Sequence, residues 1–549
     1  MKTILDYLCS IESNGIFKKN YIEFYKDSFT NKVSYEEVIS SAISMKQQLN
    51  HLGISKGQKV IIQIRDNYNF IISLWTCIIG EFIAIPLYRI NSVIDHNTDI
   101  FKNVKSISED VLILHDFTEE ELTYHKIKDY NNIHIYNLIS NKENCESKKI
   151  QELDLKNINE DDVMMILYTS GSTARPKGVQ LTHKNIIENV KDISNKLYLR
   201  QSDKFFIWTP LVHVLGLIML HITAMLNGIN QTIIFPDLFA RDPEKFLSLI
   251  SESEATITAL PNFAMVYLID VLEEDNLSMV DLSNLRCIIT GTEQIYFSTI
   301  KRFLNLNLSN KLREDCIYPF YGMTETGVVI TLRDINDNLN ILYVSEEELY
   351  RNNKVIKNND SGMALVSSGA NDKDMEIMII DDYKKSLEDN CIGEIIVKGK
   401  RVFKGYCNEN EKSLDSNGYF HTGDLGFRSE NNLFVIGRKK EVIIINGKNY
   451  YPNDIEMICS KIPGINYNNI VAFSYTHIKE CRETLVIGIK KPTERDINEL
   501  RKNITMQIGK HFKINLEDIV LLKDIPQTIS GKKKRNQIKE EYCHGKLRK

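Results

Sequence analysis

The run "YTSGSTARPKG", Tyr168–Gly178, follows an apolar stretch and gathers Thr169, Ser170, Gly171, Ser172 and Thr173 ahead of Lys177. Hydroxyl and backbone donors on a glycine-bearing loop, backed by one compact cation, suit the oxygens of a phosphate. A Walker A loop is excluded, because its G-x4-G-K-[ST] spacing is absent. A plain Ser/Gly linker would account for "SGST" alone. It would not account for the Pro-Lys-Gly that follows, or for the strand before it and the helix after it.

The elements that must position this loop can be read from periodicity. "KVIIQI" (59–64) and "VMMILYTS" (163–170) read as strands, and "NFIISLWTCIIGEFIAIPL" reads as a buried helix running into another strand. "THKNIIENVKDISNKL" reads as a helix capped by Thr182, with Ile186, Ile187, Val190, Ile193 and Leu197 on one face. "TIIF", "ATITAL" and "RCIIT" are further short strands. This alternation predicts an α/β body with largely parallel sheets. Near residue 400 the pattern changes to β-ribbon, and after "GRKKEVIII" to a compact α+β unit of about 110 residues. The boundary is placed at Gly437–Lys440, giving domains 1–437 and 438–549. Residues 332–362 are polar, Asn-rich and weakly patterned, and read as an inserted excursion.

A formal net charge of −5 over 549 residues gives no support for a nucleic-acid or anionic-membrane surface acting over the whole chain. The ten cysteines form no CxxC pair and no zinc-like cluster, which predicts free thiols in a reducing cytoplasm. No export signal is read at the N-terminus. The most apolar segment, residues 205–226, is broken by Pro210, His213, Gly216 and His221. It predicts a strand, a turn and a buried helix rather than a membrane span.

With the phosphate loop, four further motifs stand in one order: "FYGMTETG" (320–327), "GYFHTGDLG" (418–426), "GRKKEVIIINGKNYYPNDIE" (437–456) and "PQTISGKKKRNQI" (526–538). Together they resemble the adenylate-forming ligases: acyl-CoA synthetases, fatty acyl-AMP ligases, luciferases and peptide-synthetase adenylation domains. The resemblance covers almost the whole chain. It implies a large domain of αβα-layered sheets with a distorted β-barrel subdomain, and a small mobile α+β lid. It also implies ATP and Mg2+, with Lys532 at the carboxylate and α-phosphate, Thr324 on the α-phosphate and Glu325 as magnesium ligand. By the same resemblance Tyr321 and Gly322 lie against adenine, and Gly291, Thr292 and Glu293 ("TGTE") form the loop along it. Asp424 and Arg438 take the ribose. Lys440 is the hinge about which the lid turns, withdrawing Lys532 and bringing the Gly447 loop inward. By base rate, Lys533, Lys534 and Arg535 read as a solvated basic patch. T-E-T alone could start a helix, and TGDLG alone could be a β-turn.

Peptide-synthetase domains hold an α-amino group with an Asp where this chain has "PLVHVLGL". Here His213 stands without an acid, so the resemblance implies a carboxylic acid lacking an α-amine. His213 either gates the acyl pocket or is a satisfied core histidine. For the thiol, "PNFAM" (261–265), "GKNYYPNDIE" and "GDLGF" resemble fatty acyl-AMP ligases and assembly-line loading ligases, which feed carrier proteins. The excursion at 332–362 is similar to their insertion. Ile444 follows Ile443 where many CoA-forming relatives carry lysine. "YGMTETG", however, is the acyl-CoA synthetase spelling. On the balance of these motifs a carrier-protein phosphopantetheine is preferred over CoA, and it is expected in trans, since no carrier serine motif follows residue 538. The alternatives are an acyl-CoA synthetase, a nucleotide-binding regulatory module without turnover, and a basic-tail nucleic-acid binder.

Overall fold

Strands covered by helices on both faces read as continuous apolar runs, and such runs build two large sheets here. The computed structural model describes all residues except 1–2, 27–28, 89–110, 126, 130, 140–149, 151–157, 170–176, 274–276, 359–361, 371, 408–412, 478–481, 492–496, 529–530 and 548–549. One sheet runs in the order Gly405–Tyr406, Lys177–Thr182, Val163–Thr169, Ile83–Pro86, Lys59–Gln63, Val111–His115, Asn132–His134. Its last five strands are parallel, while Lys177–Thr182 turns back antiparallel to Val163–Thr169. The other has eight strands, ordered Thr331–Leu332, Ile317–Tyr321, Cys287–Thr290, Ile257–Ala259, Lys204–Ile207, Asn230–Ile233, Tyr21–Lys26, Phe29–Ser34. Its six central strands are parallel and its two edge strands antiparallel. The expected α/β body of largely parallel sheets is the one formed.

A single apolar core takes residues from both sheets, from the almost wholly buried helix Asn67–Gly80 and from the π-helical run Leu215–Ile222. Gly216 is required in that run, because a Cβ would lie 2.5 Å from the Pro210 carbonyl oxygen. His221 is a satisfied core histidine. Its Nε2 accepts from Trp75 Nε1 at 3.0 Å and its Nδ1 pairs with Gln231 Oε1 at 2.8 Å. Among the described residues no helix is long and apolar enough to cross a membrane. The helix after the phosphate loop, His183–Lys196, is capped as expected, with Thr182 Oγ1 accepting from Asn185 N at 3.2 Å.

Strands Met375–Ile380, Gly393–Gly399, Phe420–Ser429 and Asn432–Arg438 form an antiparallel sheet. Beyond it, strands Ile470–His477, Arg482–Lys490 and Leu516–Leu522 pack with helices Pro452–Cys459, Ile497–Phe512 and Arg535–Cys543. The excursion is better ordered than its composition suggested. Strand Ile341–Val344 pairs with Met363–Val366, and helix Glu346–Asn352 follows the first strand. Val344, Leu349, Tyr350 and Val355 share an apolar core with Tyr450, Tyr451 and Phe512. Few apolar residues, spaced by polar ones, were enough to dock it.

Candidate active site

Cross-strand register builds the first part of the site. Strands Phe420–Ser429 and Asn432–Arg438 pair so that Asp424 stands opposite Arg438. Arg438 Nε lies 2.9 Å from Asp424 Oδ1, and the Tyr321 hydroxyl donates to Oδ2 at 2.7 Å. Asp424 is buried, so the arginine and the hydroxyl offset its desolvation. Each carboxylate oxygen keeps a lone pair for another donor. Tyr321 arrives at the end of strand Ile317–Tyr321, and the loop after Cys287–Thr290 brings Gly291, Thr292 and Glu293 alongside. Thr292 holds a φ of +68°, a region that β-branched residues avoid. Thr292, Glu293, Tyr321, Gly322, Asp424, Arg438 and Lys532 line one cleft of about 160 Å3.

Glu325 sits in the 3-10 turn Thr324–Thr326 and is held from three directions. Tyr406 donates its hydroxyl to Glu325 Oε1 at 2.8 Å, and Phe403 N donates to the Glu325 carbonyl at 2.8 Å. Asn189, on the helix after the phosphate loop, donates to the Thr326 carbonyl at 2.9 Å and accepts from Val329 N at 2.9 Å. Tyr406 lies opposite Val179 on the strand that begins at Lys177, and Lys177 Nζ stands 4.5 Å from its ring centroid. The loop strand and the acid-bearing turn are thus joined by residues the motifs did not single out. Asn185 and Asn189, four apart on an otherwise apolar helix face, were the available signal. Thr169 ends its strand paired with Lys177, whereas Ser170, Gly171, Ser172 and Thr173 lie outside the described residues.

The basic run near the C-terminus divides sharply. Lys532 reaches the cleft, and its ammonium has no hydrogen-bond or ion-pair partner among the described residues. Desolvation by the cleft walls, and then repulsion from Arg438, hold its pKa below the ordinary value; Asp424, Glu293 and Glu325 pull the other way. Lys533 and Arg535 are not the solvated patch expected. Lys533 Nζ lies 2.7 Å from Glu456 Oε2, and Arg535 Nη2 lies 2.9 Å from the same oxygen. Glu456 is wholly buried, so both cations neutralise it inside the protein. Lys534 alone behaves as predicted and faces solvent.

His213 is half-buried next to this group. Its Nδ1 accepts from Leu215 N at 3.3 Å, which leaves the proton on Nε2. Burial, and then the Lys532 charge, push its pKa down to about 4. Lys440 is exposed in the 3-10 turn Lys439–Glu441. Gly447 follows Asn446 in a tight turn with φ values of +72° and +53°, away from the cleft lining.

A two-sheet α/β body, a terminal α+β unit, and a lysine in one cleft with a carboxylate–arginine pair are the arrangement of an adenylate-forming enzyme. The chain belongs to the AMP-binding enzyme family, whose model matches residues 18–407. Enzymes of this family use ATP and proceed through acyl-adenylates. The chain is 27% identical over 543 residues to the medium-chain-fatty-acid–[acyl-carrier-protein] ligase JamA of Moorena producens, covering 94% of this chain and 91% of that one. It is 28% identical over 403 residues to the putative fatty-acid–CoA ligase FadD21 of Mycobacterium tuberculosis, covering 68% and 69%. A solved fatty acyl-adenylate ligase from L. pneumophila, in complex with acyl adenylate and pyrophosphate, superposes with a TM-score of 0.73 at 25% identity, covering 100% and 96%.

Proposed function

We propose that the chain activates an amine-free carboxylic acid with ATP and passes the acyl group to the phosphopantetheine thiol of a separate acyl carrier protein. One observation carries the reading: the Lys532 ammonium, without an ion pair among the described residues, stands in the same cleft as the Asp424–Arg438 pair. A merely structural lysine would be paired, as Lys533 is.

In the first step a substrate carboxylate oxygen attacks the α-phosphorus of ATP and the bond to pyrophosphate breaks. Lys532 offsets the negative charge that gathers on the α-phosphate oxygens and the attacking carboxylate. Asp424 and Arg438 hold the ribose hydroxyls, and Gly291, Thr292, Tyr321 and Gly322 line the base. Thr169, Ser170, Gly171, Ser172, Thr173 and Lys177 take the outer phosphates, and Thr324 takes the α-phosphate. The donor set fits magnesium: Glu325 offers a hard oxygen, and Tyr406 binds only Oε1 of that carboxylate. Glu325 would hold the magnesium, which would supply positive charge against the phosphate oxygens. In the second step the thiol sulfur attacks the acyl carbonyl and AMP leaves, with the 438–549 unit turning about Lys440. The neutral His213, its proton on Nε2 and within the field of Lys532, suits an acceptor-bearing substrate and offers nothing to an ammonium.

A carrier is preferred over CoA because the excursion at 332–362, similar to the insertion of fatty acyl-AMP ligases, shares an apolar core with the terminal unit, and because similarity to JamA runs along almost its whole length. All eight described cysteines are unpaired, which suits a reducing cytoplasm. The test supplies ATP, magnesium and a panel of fatty and aryl acids, with CoA in one reaction and a phosphopantetheinylated carrier in the other. Acyl-carrier product with little acyl-CoA is expected. Abundant acyl-CoA would make this an acyl-CoA synthetase. Tight ATP binding with no acyl-AMP from any acid would make it a regulatory module.

A further inference from the structure

Among the described residues, the lysine loop meets the large body at Phe263. Gly531, at φ +82°, presses its backbone on the Phe263 ring so closely that a Cβ would lie 2.8 Å from a ring carbon. The Phe263 carbonyl accepts from Asn468 Nδ2, on the terminal unit, at 3.4 Å. Phe263 is therefore the seat that sets where Lys532 stands.

What fixes the seat is not local. Phe263 lies in the first turn of helix Asn262–Leu272, whose N-cap is Pro261. Proline offers no side-chain oxygen, and the first turn contains no acid. The missing acceptor comes from the loop 30 residues on: Glu293 Oε1 accepts from Phe263 N at 2.5 Å. That carboxylate is held out by a backbone whose preceding residue, Thr292, is in the left-handed region. Lys533, Lys532 and Arg535 supply the positive field around it.

We infer that Glu293 is a positioning residue for the adenylation step: it caps the helix from a distance, fixes Phe263, and so places Gly531 and Lys532 over the acid. This rests on the function proposed above, and it assigns Glu293 to the lid's landing site instead of to adenine. It makes an asymmetric demand. Lys532 is needed when the acyl-phosphate bond forms, and is withdrawn when the thiol attacks. Loss of Glu293 should therefore hurt the first half-reaction and spare the second.

Glu293→Ala and Glu293→Gln are compared with the unaltered enzyme in three measurements. Acyl-AMP formation should fall tenfold or more in the Ala variant. In the Gln variant, which keeps an oxygen for Phe263 N–H, it should fall no more than threefold. Transfer to carrier from supplied acyl-AMP should stay within twofold in both. Hydrogen exchange should accelerate in Glu293→Ala at the amides of Thr528, Gly531, Lys532 and Lys534, which close the lysine loop internally, and remain unchanged in helix Arg535–Cys543. Equal losses in both half-reactions, unchanged adenylation, or unchanged exchange in the loop would each overturn the assignment. Should the unaltered enzyme form no acyl-AMP, the proposed function fails, and the exchange measurement still decides the positioning role.

Discussion

Replacing Asp454 by Asn removes a charge from a three-way junction, and its effect should grow with pH. Asp454 lies on helix Pro452–Cys459 and is 5% exposed. Its Oδ2 accepts from the Tyr350 hydroxyl of the excursion helix at 3.1 Å. Tyr296 of the large body, Tyr451 and Tyr467 are close by. Of the charged neighbours, Glu346 repels it and Glu456 does so weakly, the latter balanced by Lys533 and Arg535. Burial chiefly, and then Glu346, push its pKa up to about 7 from an ordinary 3.8. In the unfolded chain the carboxyl ionises near 3.8, so between about 4 and about 7 the folded state binds more protons. Stability therefore falls as pH rises through that window and levels off above it. The gap between 3.8 and about 7 corresponds to about 4 kcal/mol at most. Asn keeps an oxygen for Tyr350 and carries no charge. Native-state hydrogen exchange of the helix Pro452–Cys459 at pH 5, 6, 7 and 8 should show the variant gaining on the unaltered protein up to about pH 7 and levelling off by pH 8, at about 2–4 kcal/mol. A difference that does not change with pH, or an unaltered protein more stable at pH 8, would refute the reasoning. Either result would mean that the tyrosine hydroxyls solvate the charged carboxylate fully.

Glu456→Ala should cost about 3–5 kcal/mol in urea unfolding, because Lys533 and Arg535 would be left buried without a counter-charge. Lys534→Ala should stay within about 0.5 kcal/mol, and comparable losses from the two would contradict their different burial. Lys532→Ala should keep ATP affinity within a few-fold by calorimetry while acyl-AMP formation falls about 100-fold or more; an unchanged rate would remove the lysine from the chemistry. Tyr406→Phe deletes one hydrogen bond to the Glu325 carboxylate. It should raise the magnesium concentration for half-maximal adenylation about tenfold with little change in melting temperature, and an unshifted titration would sever Tyr406 from the metal.

The contrast within "KKKR" shows what a sequence can and cannot reveal about such a site. Four cations in a row carry the same local signal, yet Lys532 lines the cleft, Lys533 and Arg535 are buried, and Lys534 is in water. The frame before Lys532 marked it out, because a loop motif is local in the chain. The fate of its neighbours depends on Glu456, some 77 residues away, and no local pattern encodes that pairing. The same division holds elsewhere. Asp424 and Arg438 were legible because both are motif residues, and two-residue periodicity of adjoining strands brings them opposite each other. Asn189 and Tyr406 were not, since each acts on Glu325 from an element whose own pattern describes only a helix face and a ribbon edge. The excursion was underread because the four side chains it sends into the terminal core are too sparse for a periodicity argument, although a ready-made apolar partner surface makes four enough. Glu293 combines both cases: its motif pointed to the nucleotide, whereas its carboxylate caps a helix whose proline start could not cap itself. A residue's neighbours in the chain therefore indicate which site it serves. What it does there is set by the unmet hydrogen-bonding and charge demands of whatever the fold places against it.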